Sequence, residues 1–311
     1  MIIQNNTIGI DIGGTKIAIG LVDSKGNVLK KIKFDTVRNK SFQDAVDKII
    51  IGLKKLGIKK VGRIGIGIAG QIDSENGIIV HSPNISSWKN VPVISTLENK
   101  LNREFKKKIN FKIKIANDAN CFVLGEAKYG AGKDLKNVIG LTLGTGLGGG
   151  LIMNGKIYKG QGYATELGHF IIEEEGRRCS CGMKGCLESY VSGRAIEDEY
   201  FKRSKKKLSA LEIEQEAIKE GRKSKAHNVY KEAGKYLGIG IANLINILDP
   251  DIVIIGGGLG RSDLLFKEAK KEASKNIFFK KRKVNIKKAK LGYDAGIVGA
   301  AELVRQIVNL V

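Results

Sequence analysis

The feature that most constrains the fold of this chain is a pattern of strand, glycine turn and strand that occurs twice. The first copy, TIGIDIGGTKIAIGLVD, begins at Thr7, and the second, VIGLTLGTGLGGGLIMNGKIY, begins at Val138. Short apolar or alternating runs between glycine turns are typical of antiparallel strands. Each copy has a third candidate strand, NVLKKIKF in the first and the residues after the Asn154-Gly155 hairpin turn in the second. The repetition predicts an internally duplicated α/β chain with a cleft between its halves.

The segments that follow each copy alternate between helical and strand patterns. In the first half we expect helices at 42–56 and 93–107, strands in VGRIGIGIAG and KIKIAND, and a helix from Ala119, which gives the order βββαβαβα. In the second half, 229–248 has a helical pattern, DIVIIGGG is an apolar strand, and YDAGIVGAAELV ends in a helix. The charged segment 201–224 is also expected to be helical, and we assign it no chemistry.

The charge of the chain raises the question of nucleic-acid binding. Its 54 lysines and arginines against 32 acidic residues give a formal net charge of +22. The basic residues are scattered through helical stretches and mixed with glutamate, and RNA-recognition aromatics and zinc-finger helices are absent from the sequence. We therefore expect solvated basic faces and no nucleic-acid partner.

Length and apolar content predict a soluble protein of two domains. The chain has 311 residues, of which 42% are hydrophobic, enough for a large core. Its apolar runs are shorter than the roughly twenty residues that span a bilayer. The opening MIIQNNTIG lacks the basic start and apolar core of a secretory signal. We expect a cytoplasmic location and reduced cysteines.

A histidine and three cysteines have the spacing of a structural metal site. His169, Cys179, Cys181 and Cys186 lie within eighteen positions and supply one imidazole and three thiolates, which is a closed tetrahedral set for Zn²⁺. Glycines between the last two cysteines allow the backbone to turn tightly. The alternative is a surface histidine with unrelated free cysteines. A closed set leaves no position for metal-centred catalysis.

Two glycine turns are candidate phosphate-binding sites. Gly13-Gly14-Thr15-Lys16 and Gly144-Thr145-Gly146 can present backbone amides to phosphate oxygens, and Asp11 can hold Mg²⁺ directly or through water. The alternative for either turn is a plain hairpin. The second turn also fits G-x-G-x-x-G, but a strand follows it where a dinucleotide-binding fingerprint requires a helix. No segment matches the P-loop.

With these residues in view, the chain resembles the ROK family and, within it, the glucokinase-like sugar kinases. The resemblance rests on DIGGTK, GIGIAGQID, SPNISSWKNVP, NDANCFVLGEA, LTLGTGLGGG, ATELGH, CSCGMKGCLE and LGYDAGIVGAA, in that order. It implies an actin-like, ribonuclease-H-like ATPase fold, with a smaller lobe of 1–118 plus a C-terminal helix at 297–311, and a larger lobe of 119–296. DIGGTK begins at Asp11, so we expect no DNA-binding domain of the kind that repressor members carry.

The resemblance also implies roles for individual residues. Asp118 is implied as the general base that accepts a proton from the sugar hydroxyl; its alternative is a helix N-cap. Glycines after the strand DIVII are implied to contact adenosine, or else to form a tight turn; they are Gly256, Gly257 and Gly258. The implied sugar-contacting residues are Asn84, Asn117, Asp118, Glu166, His169 and Glu188. Thr165 stands where many members have glycine.

These features together predict an ATP-dependent hexose kinase that acts most readily on the 6-hydroxyl of glucose. The implied cofactors are ATP, Mg²⁺ and structural Zn²⁺, and a homo-oligomer, dimer or tetramer, is expected. Kinases for N-acetylglucosamine, N-acetylmannosamine or fructose stay open, as do a non-catalytic sugar sensor and the donors ADP and polyphosphate.

Overall fold

The computed structural model describes most of the chain and divides it into two compact units. The described residues are 6–35, 41–58, 62–82, 85, 87–105, 111–279 and 285–305. The first unit comprises 1–134, 157–164 and 293–311, and the second comprises 135–156 and 165–292. The division predicted from the sequence, with a smaller lobe of 1–118 plus 297–311 and a larger lobe of 119–296, stays a prediction.

The first unit begins with two β-sheets and three helices. Its elements in chain order are β1 (Thr7–Ile12), β2 (Lys16–Val22), β3 (Val28–Asp35), α1 (Phe42–Lys55), β4 (Arg63–Ile68), β5 (Gln71–Asp73), β6 (Ile78–His81), β7 (Lys89–Pro92), α2 (Val93–Glu104), β8 (Lys112–Asn117) and α3 (Asp118–Tyr129).

The main sheet of the first unit has the strand order β3-β2-β1-β4-β8. The first three strands are antiparallel, as the sequence predicted, whereas β4 runs parallel to β1 and β8 runs parallel to β4. Isoleucines of the central strands, among them Ile10 and Ile66, are fully buried. Because β1, β4 and β8 are parallel neighbours, their carboxyl ends meet at one edge of the sheet.

A small sheet of β5, β6 and β7 was not predicted. Its strands pair antiparallel and are only three or four residues long. Runs of this length carry too few residues to show a period of two, so these strands could not be predicted from the sequence pattern.

The second unit contains the other main sheet and most of the helices, and the last helix of the chain returns to the first unit. The elements are β9 (Val138–Leu143), β10 (Leu147–Met153), β11 (Lys156–Ile157), α4 (Glu188–Val191), α5 (Gly193–Ser204), α6 (Ala210–Glu220), α7 (Lys225–Leu248), β12 (Ile252–Gly256), α8 (Asp263–Asn276), β13 (Ile286–Lys288) and α9 (Ala295–Arg305).

The two main sheets have equivalent topology. The second has the order β11-β10-β9-β12-β13, with β9 antiparallel to β10 and parallel to β12, and β13 parallel to β12. The predicted duplication is therefore visible in the strand order. The second half nevertheless departs from βββαβαβα, because the cysteine segment and the helices α4–α7 all lie between β11 and β12. In the predicted insert 201–224, α5 ends at Ser204 and α6 covers 210–220.

Helix α9 lies very close to the first main sheet. A Cβ at Gly9 of β1 would clash with the carbonyl of Ile297, and one at Gly65 of β4 would clash with that of Ala300. Two glycines on neighbouring strands therefore let the α9 backbone pack directly on the sheet. Of the helices in the described ranges, none is both long and apolar enough to cross a membrane.

Candidate active site and metal centre

Two carboxyl groups lie at the carboxyl edge of the first main sheet. Asp11 is near the end of β1, and Asp118 is the first residue of α3, directly after β8. Between them lies Gly67 of β4, which is the register partner of Asp11. A Cβ at Gly67 would come within 3.5 Å of the Asp118 Cα. The nearest atom to such a Cβ would be the Cys121 Sγ, at 3.0 Å, so glycine at this position lets α3 pack closely on β4 beside the two acidic residues.

The surroundings of Asp11 raise the pKa of its carboxyl group. Burial, together with the negative charge of Asp118, raises the pKa of the Asp11 carboxyl from 3.8 to about 7. The backbone of Gly296, at the start of α9, packs on this carboxyl, since a Cβ there would lie 2.8 Å from its Oδ2. Two neighbouring carboxylates repel each other, and a bound Mg²⁺ would reduce this repulsion. The surroundings of Asp11 therefore fit its predicted role of holding Mg²⁺.

Asn117 has the capping role that the sequence offered only as an alternative for its neighbour Asp118. The Asn117 Oδ1 accepts hydrogen bonds from the backbone N–H groups of Ala119 at 2.9 Å and Asn120 at 3.3 Å, which makes Asn117 the N-cap of α3. The N-cap alternative for Asp118 is therefore wrong by one residue. Asp118 itself accepts a bond from Ala119 N at 2.9 Å. Asn117 Nδ2 also donates to the carbonyl of Gly70 at 3.0 Å.

The first glycine turn is closed by its own backbone. Gly13 N donates to the carbonyl of Lys16 at 2.9 Å, and Thr15 and Lys16 are exposed. A Cβ at Gly13 would meet no atom closer than 3.7 Å. Packing therefore does not require glycine at position 13, and its lack of a side chain leaves room for a ligand beside the turn.

The second glycine turn is held by a glutamate. Gly144 N donates to the carbonyl of Gly146 at 2.9 Å, and Glu188 Oε2 accepts from Leu147 N at 2.8 Å. A Cβ at Gly146 would lie 2.5 Å from that same oxygen, whereas one at Gly144 would have no neighbour within 4 Å. An alanine at Gly146 would thus displace the Glu188 carboxylate from Leu147 N, and Gly144 leaves open space that phosphate oxygens could occupy.

The glycines after β12 lie against the second turn. Gly256 is the register partner of Thr142 on β9, and Gly257 has a φ of +80°. A Cβ at Gly257 would clash with the carbonyl of Leu143, but Gly258 has no neighbour within 4 Å of that position. Tight-turn geometry therefore accounts for Gly257, while the space beside Gly258 fits the predicted contact with a nucleotide.

The predicted metal ligands come together. The ligand atoms of His169, Cys179, Cys181 and Cys186 all lie within 4.8 Å of one another. Cys179 Sγ is 3.6 Å from His169 Nδ1, and Cys181 Sγ is 3.6 Å from Cys186 Sγ. Tetrahedral Zn–N and Zn–S bonds would place neighbouring ligand atoms about 3.3–3.8 Å apart, so these donors fit zinc.

Metal binding would change the protonation state of the cluster. Burial raises the pKa of the Cys186 thiol to about 12, so that without a cation this group stays protonated at neutral pH. A bound Zn²⁺ would stabilise the thiolate form. The backbone wraps as predicted, because Gly182 and Gly185 have φ angles of +97° and +74°.

A ring of ion pairs that sequence reasoning missed anchors the cysteine segment. Arg177, two residues before Cys179, pairs with Glu199 of α5 at 3.0 Å and with Glu232 of α7 at 2.6 Å, and Arg203 pairs with the same two glutamates. The Arg177 guanidinium also lies 4.7 Å from the centre of the Tyr190 ring. Glu199 and Arg203 are four residues apart on α5, but Arg177 and Glu232 are far from them in sequence, so no local motif could have indicated the whole ring.

The remaining predicted sugar-binding residues have distinct surroundings. Glu188 begins α4, and its Oε1 accepts from Ser180 Oγ at 3.1 Å. Glu166 is exposed, and its carbonyl accepts from His169 N at 3.0 Å. Thr165 before it has a φ of +74°, in the left-handed region that disfavours β-branched residues. Asn84 lies outside the described residues.

Comparison with known proteins decides the family. A family model described as the ROK family matches residues 7–307. The chain belongs to the ROK family. It is 35% identical over 320 residues to a glucokinase of Thermotoga maritima, covering 97% of this chain and 98% of the relative. It is also 35% identical over 315 residues to an N-acetyl-D-glucosamine kinase of Vibrio cholerae, covering 95% of this chain and 98% of that protein.

Solved ROK structures have the same fold. The crystal structure of a ROK family glucokinase from Streptomyces griseus, in complex with glucose and AMPPNP, is similar with a TM-score of 0.84 and 33% identity, covering 97% of this chain and 100% of that one. The predicted α/β, actin-like ATPase fold of this ROK chain is thereby confirmed.

Proposed function

We propose that this ROK chain is an ATP-dependent hexose kinase that transfers the γ-phosphoryl group to the 6-hydroxyl of glucose. The observation that carries the proposal is the position of Asp118. Its carboxyl lies at the start of α3, is fixed by a bond from Ala119 N at 2.9 Å, and lies close enough to Asp11 to raise the pKa of that acid. ROK relatives at 35% identity are named as sugar kinases, which supports the same chemistry.

In the proposed reaction, Asp118 orients the sugar hydroxyl and accepts its proton as the bond to phosphorus forms. A hydroxyl is a poor nucleophile, and the position of a carboxylate within hydrogen-bond reach is what makes the attack efficient. When the enzyme is loaded, Mg²⁺ would neutralise phosphate charge, and Asp11 is the residue of the first unit that would hold it. Gly144 and Gly258, whose open faces we described, would contact the nucleotide.

The cysteine segment would act on the sugar indirectly. A structural Zn²⁺ held by His169 and the three cysteines would fix the orientation of the imidazole. Because Nδ1 faces Cys179, Nε2 is the nitrogen that a sugar hydroxyl could contact. Glu166 and Glu188 bracket this segment and supply acceptors for neighbouring hydroxyls. Glu188 has a second role, since it also holds Leu147 N.

The test is a coupled assay of ADP release with Mg-ATP, run against glucose, mannose, fructose, glucosamine, N-acetylglucosamine and N-acetylmannosamine. We expect the largest kcat/KM with glucose. In Asp118→Asn, kcat should fall by about 10²–10⁴-fold while glucose still binds, because the substitution removes the proton acceptor and keeps the shape. Glu220→Gln, at an exposed position of α6, is the matched control and should keep full activity. Normal turnover by Asp118→Asn would contradict the mechanism.

An N-acetylhexosamine kinase is the second candidate, and a specific observation favours it. The Vibrio cholerae N-acetyl-D-glucosamine kinase is as similar to this chain, at 35% identity, as the Thermotoga maritima glucokinase. A dominant rate with N-acetylglucosamine in the same assay would replace glucose as the substrate and leave the role of Asp118 unchanged.

A further inference from the structure

One carboxylate contacts both the second glycine turn and the segment between two of the candidate zinc ligands. Glu188 is half-buried at the start of α4. Its Oε2 accepts a hydrogen bond at 2.8 Å from Leu147 N, directly after the turn. Its Oε1 accepts at 3.1 Å from the hydroxyl of Ser180, which lies between Cys179 and Cys181. Both oxygens of this side chain are therefore held in place by the protein itself.

The backbone of Glu188 is anchored to the segment that carries two other implied sugar-binding residues. Glu188 N donates to the carbonyl of Gly168, the residue before His169, at 2.8 Å. Gly168 packs in turn on Leu147, because a Cβ there would lie 2.3 Å from the Leu147 carbonyl oxygen. Glu188, Gly168 and Leu147 thus form a junction in which each residue contacts the other two.

The residues after Glu188 hold the other end of the second glycine turn. Gly193 N donates to the carbonyl of Gly144 at 2.8 Å, and Ser192 N donates to the carbonyl of Glu188 at 3.1 Å. One short segment therefore fixes the turn at both ends. A displacement of the Glu188 carboxylate would change the orientation of the backbone N–H groups in the turn, and phosphate binding by such a turn depends on that orientation.

A contact with sugar does not by itself explain this arrangement. Glu166, the other implied sugar-binding glutamate, is exposed, and within the described ranges its carboxylate has no hydrogen bond to the turn. Glu188 differs because two of its acceptor positions already bind Leu147 N and Ser180 Oγ. A carboxylate has about four acceptor positions, so Glu188 can accept from a sugar hydroxyl while it still holds the turn.

We propose that Glu188, aligned by Ser180, is a positioning residue for the phosphates of ATP in addition to its implied contact with sugar. The inference rests on the proposed kinase function, which requires ATP to bind at this turn. Leu147 is only 4% exposed, so loss of the carboxylate would leave its N–H poorly solvated and without its charged acceptor. Nucleotide binding should therefore weaken even when no sugar is present.

The experiment measures the Kd of Mg-AMPPNP for the intact protein by isothermal titration calorimetry in sugar-free buffer. In Glu188→Ala, Kd should rise by about tenfold or more, because a hydrogen bond to a charged acceptor is lost. Glu188→Gln keeps an oxygen that can accept from Leu147 N, and its Kd should stay within about threefold of the unaltered protein. Ser180→Ala keeps Glu188 and all four candidate zinc ligands, so it tests the proposal even if Glu188→Ala folds poorly. Its Kd should rise by about two- to fourfold.

Glu166→Ala is the matched control, because it removes an implied sugar-binding carboxylate that is not bonded to the turn. It should weaken glucose binding and change the Kd of Mg-AMPPNP by less than about twofold. Unchanged nucleotide affinity in Ser180→Ala would overturn the inference, and so would equal weakening by Ser180→Ala and Glu166→Ala. In either case normal binding of glucose and Mg-AMPPNP by the unaltered protein would leave the proposed kinase function standing. If the unaltered protein bound neither ligand, the proposed function and this inference would both be wrong.

Discussion

The two main sheets have the same strand order, yet they carry different chemistry at equivalent positions. In the first copy, Asp11 precedes Ile12 and the glycine turn and pairs with Gly67 of the parallel neighbour strand. In the second, Thr142 precedes Leu143 and its glycine turn and pairs with Gly256. Both sheets therefore have a glycine on the strand beside this position. The position itself is Asp11 in the first sheet and Thr142 in the second, so only the first carries a negative charge.

The two turns also differ in what holds them. The first is closed by its own backbone, whereas the second depends on the Glu188 carboxylate and on Gly193 N, which donates to the Gly144 carbonyl at 2.8 Å. Both partners of the second turn come from the residues inserted after β11. The insertion therefore supports the second turn with contacts that the first turn does not need.

The largest expected effect comes from the inserted cysteine segment, which has no equivalent in the first copy. In Cys186→Ser, the set loses a thiolate, bound zinc should be lost, and the protein should be destabilised by several kcal/mol because a structural metal contributes directly to folding. Zinc content by atomic emission and urea unfolding measure this. Cys121→Ala removes a thiol outside the cluster and should keep its zinc. A full zinc content in Cys186→Ser would refute the ligand set.

Asp11→Asn tests the charge that distinguishes the first copy. The unfolded chain loses this proton near pH 3.8 and the folded chain near pH 7, so the folded state binds more protons between these values. By linkage, the free energy of unfolding falls as pH rises through that window and is constant above it. In Asp11→Asn the free energy of unfolding should not fall in this way. At pH 8 the variant should therefore be more stable than the unaltered protein, by at most about 4 kcal/mol.

Urea unfolding at pH 5 and pH 8 in magnesium-free buffer measures the Asp11 effect. Asp198→Asn, at an exposed position of α5, is the control and should follow the unaltered protein at both pH values. If Asp11→Asn showed the same dependence on pH as the unaltered protein, the raised pKa assigned to buried Asp11 would be wrong.

Two glycine-to-alanine variants test which part of the second turn serves packing. Gly146→Ala should cost about 1–3 kcal/mol, since its Cβ would lie 2.5 Å from Glu188 Oε2. Gly144→Ala should leave the free energy of unfolding almost unchanged, because its Cβ meets no atom within 4 Å, and should instead weaken binding of an ATP analogue. Equal destabilisation by the two variants would show that our distinction is incorrect.

The smallest expected effect is at Thr165. A left-handed φ of +74° costs a residue with a Cβ about 1–2 kcal/mol, and glycine at this position would avoid that cost. Part of the gain in stability would be lost again, because glycine has a greater entropy in the unfolded chain. Thr165→Gly should therefore raise the free energy of unfolding by about 0.5–1 kcal/mol. Thr165→Ala keeps a Cβ and should not stabilise. A gain of the same size from alanine would mean that the backbone angle is not the cause.

The sequence predicted what depends on local pattern. Glycine turns flanked by apolar runs placed β1, β2, β9 and β10, and the clustering of the four candidate metal ligands could be predicted because their spacing is short. Residues whose roles come from distant partners were missed. Arg177 meets glutamates of two helices, and Gly67 matters because Cys121 of α3 packs against it. The N-cap of α3 was misplaced by one position, because Asn117 and Asp118 are both good capping residues.

The close packing of α9 on the first sheet has a consequence for biosynthesis. Because Gly9 and Gly65 have no side chain, the backbone of Ile297 and Ala300 can pack directly against them. Gly125 of α3 lets Gly299 approach in the same way. While the ribosome is still translating the middle of the chain, β1, β4 and α3 exist without the helix that covers them. The earliest-made strands are therefore among the last to reach their native packing, and an incomplete chain would expose apolar surface to chaperones.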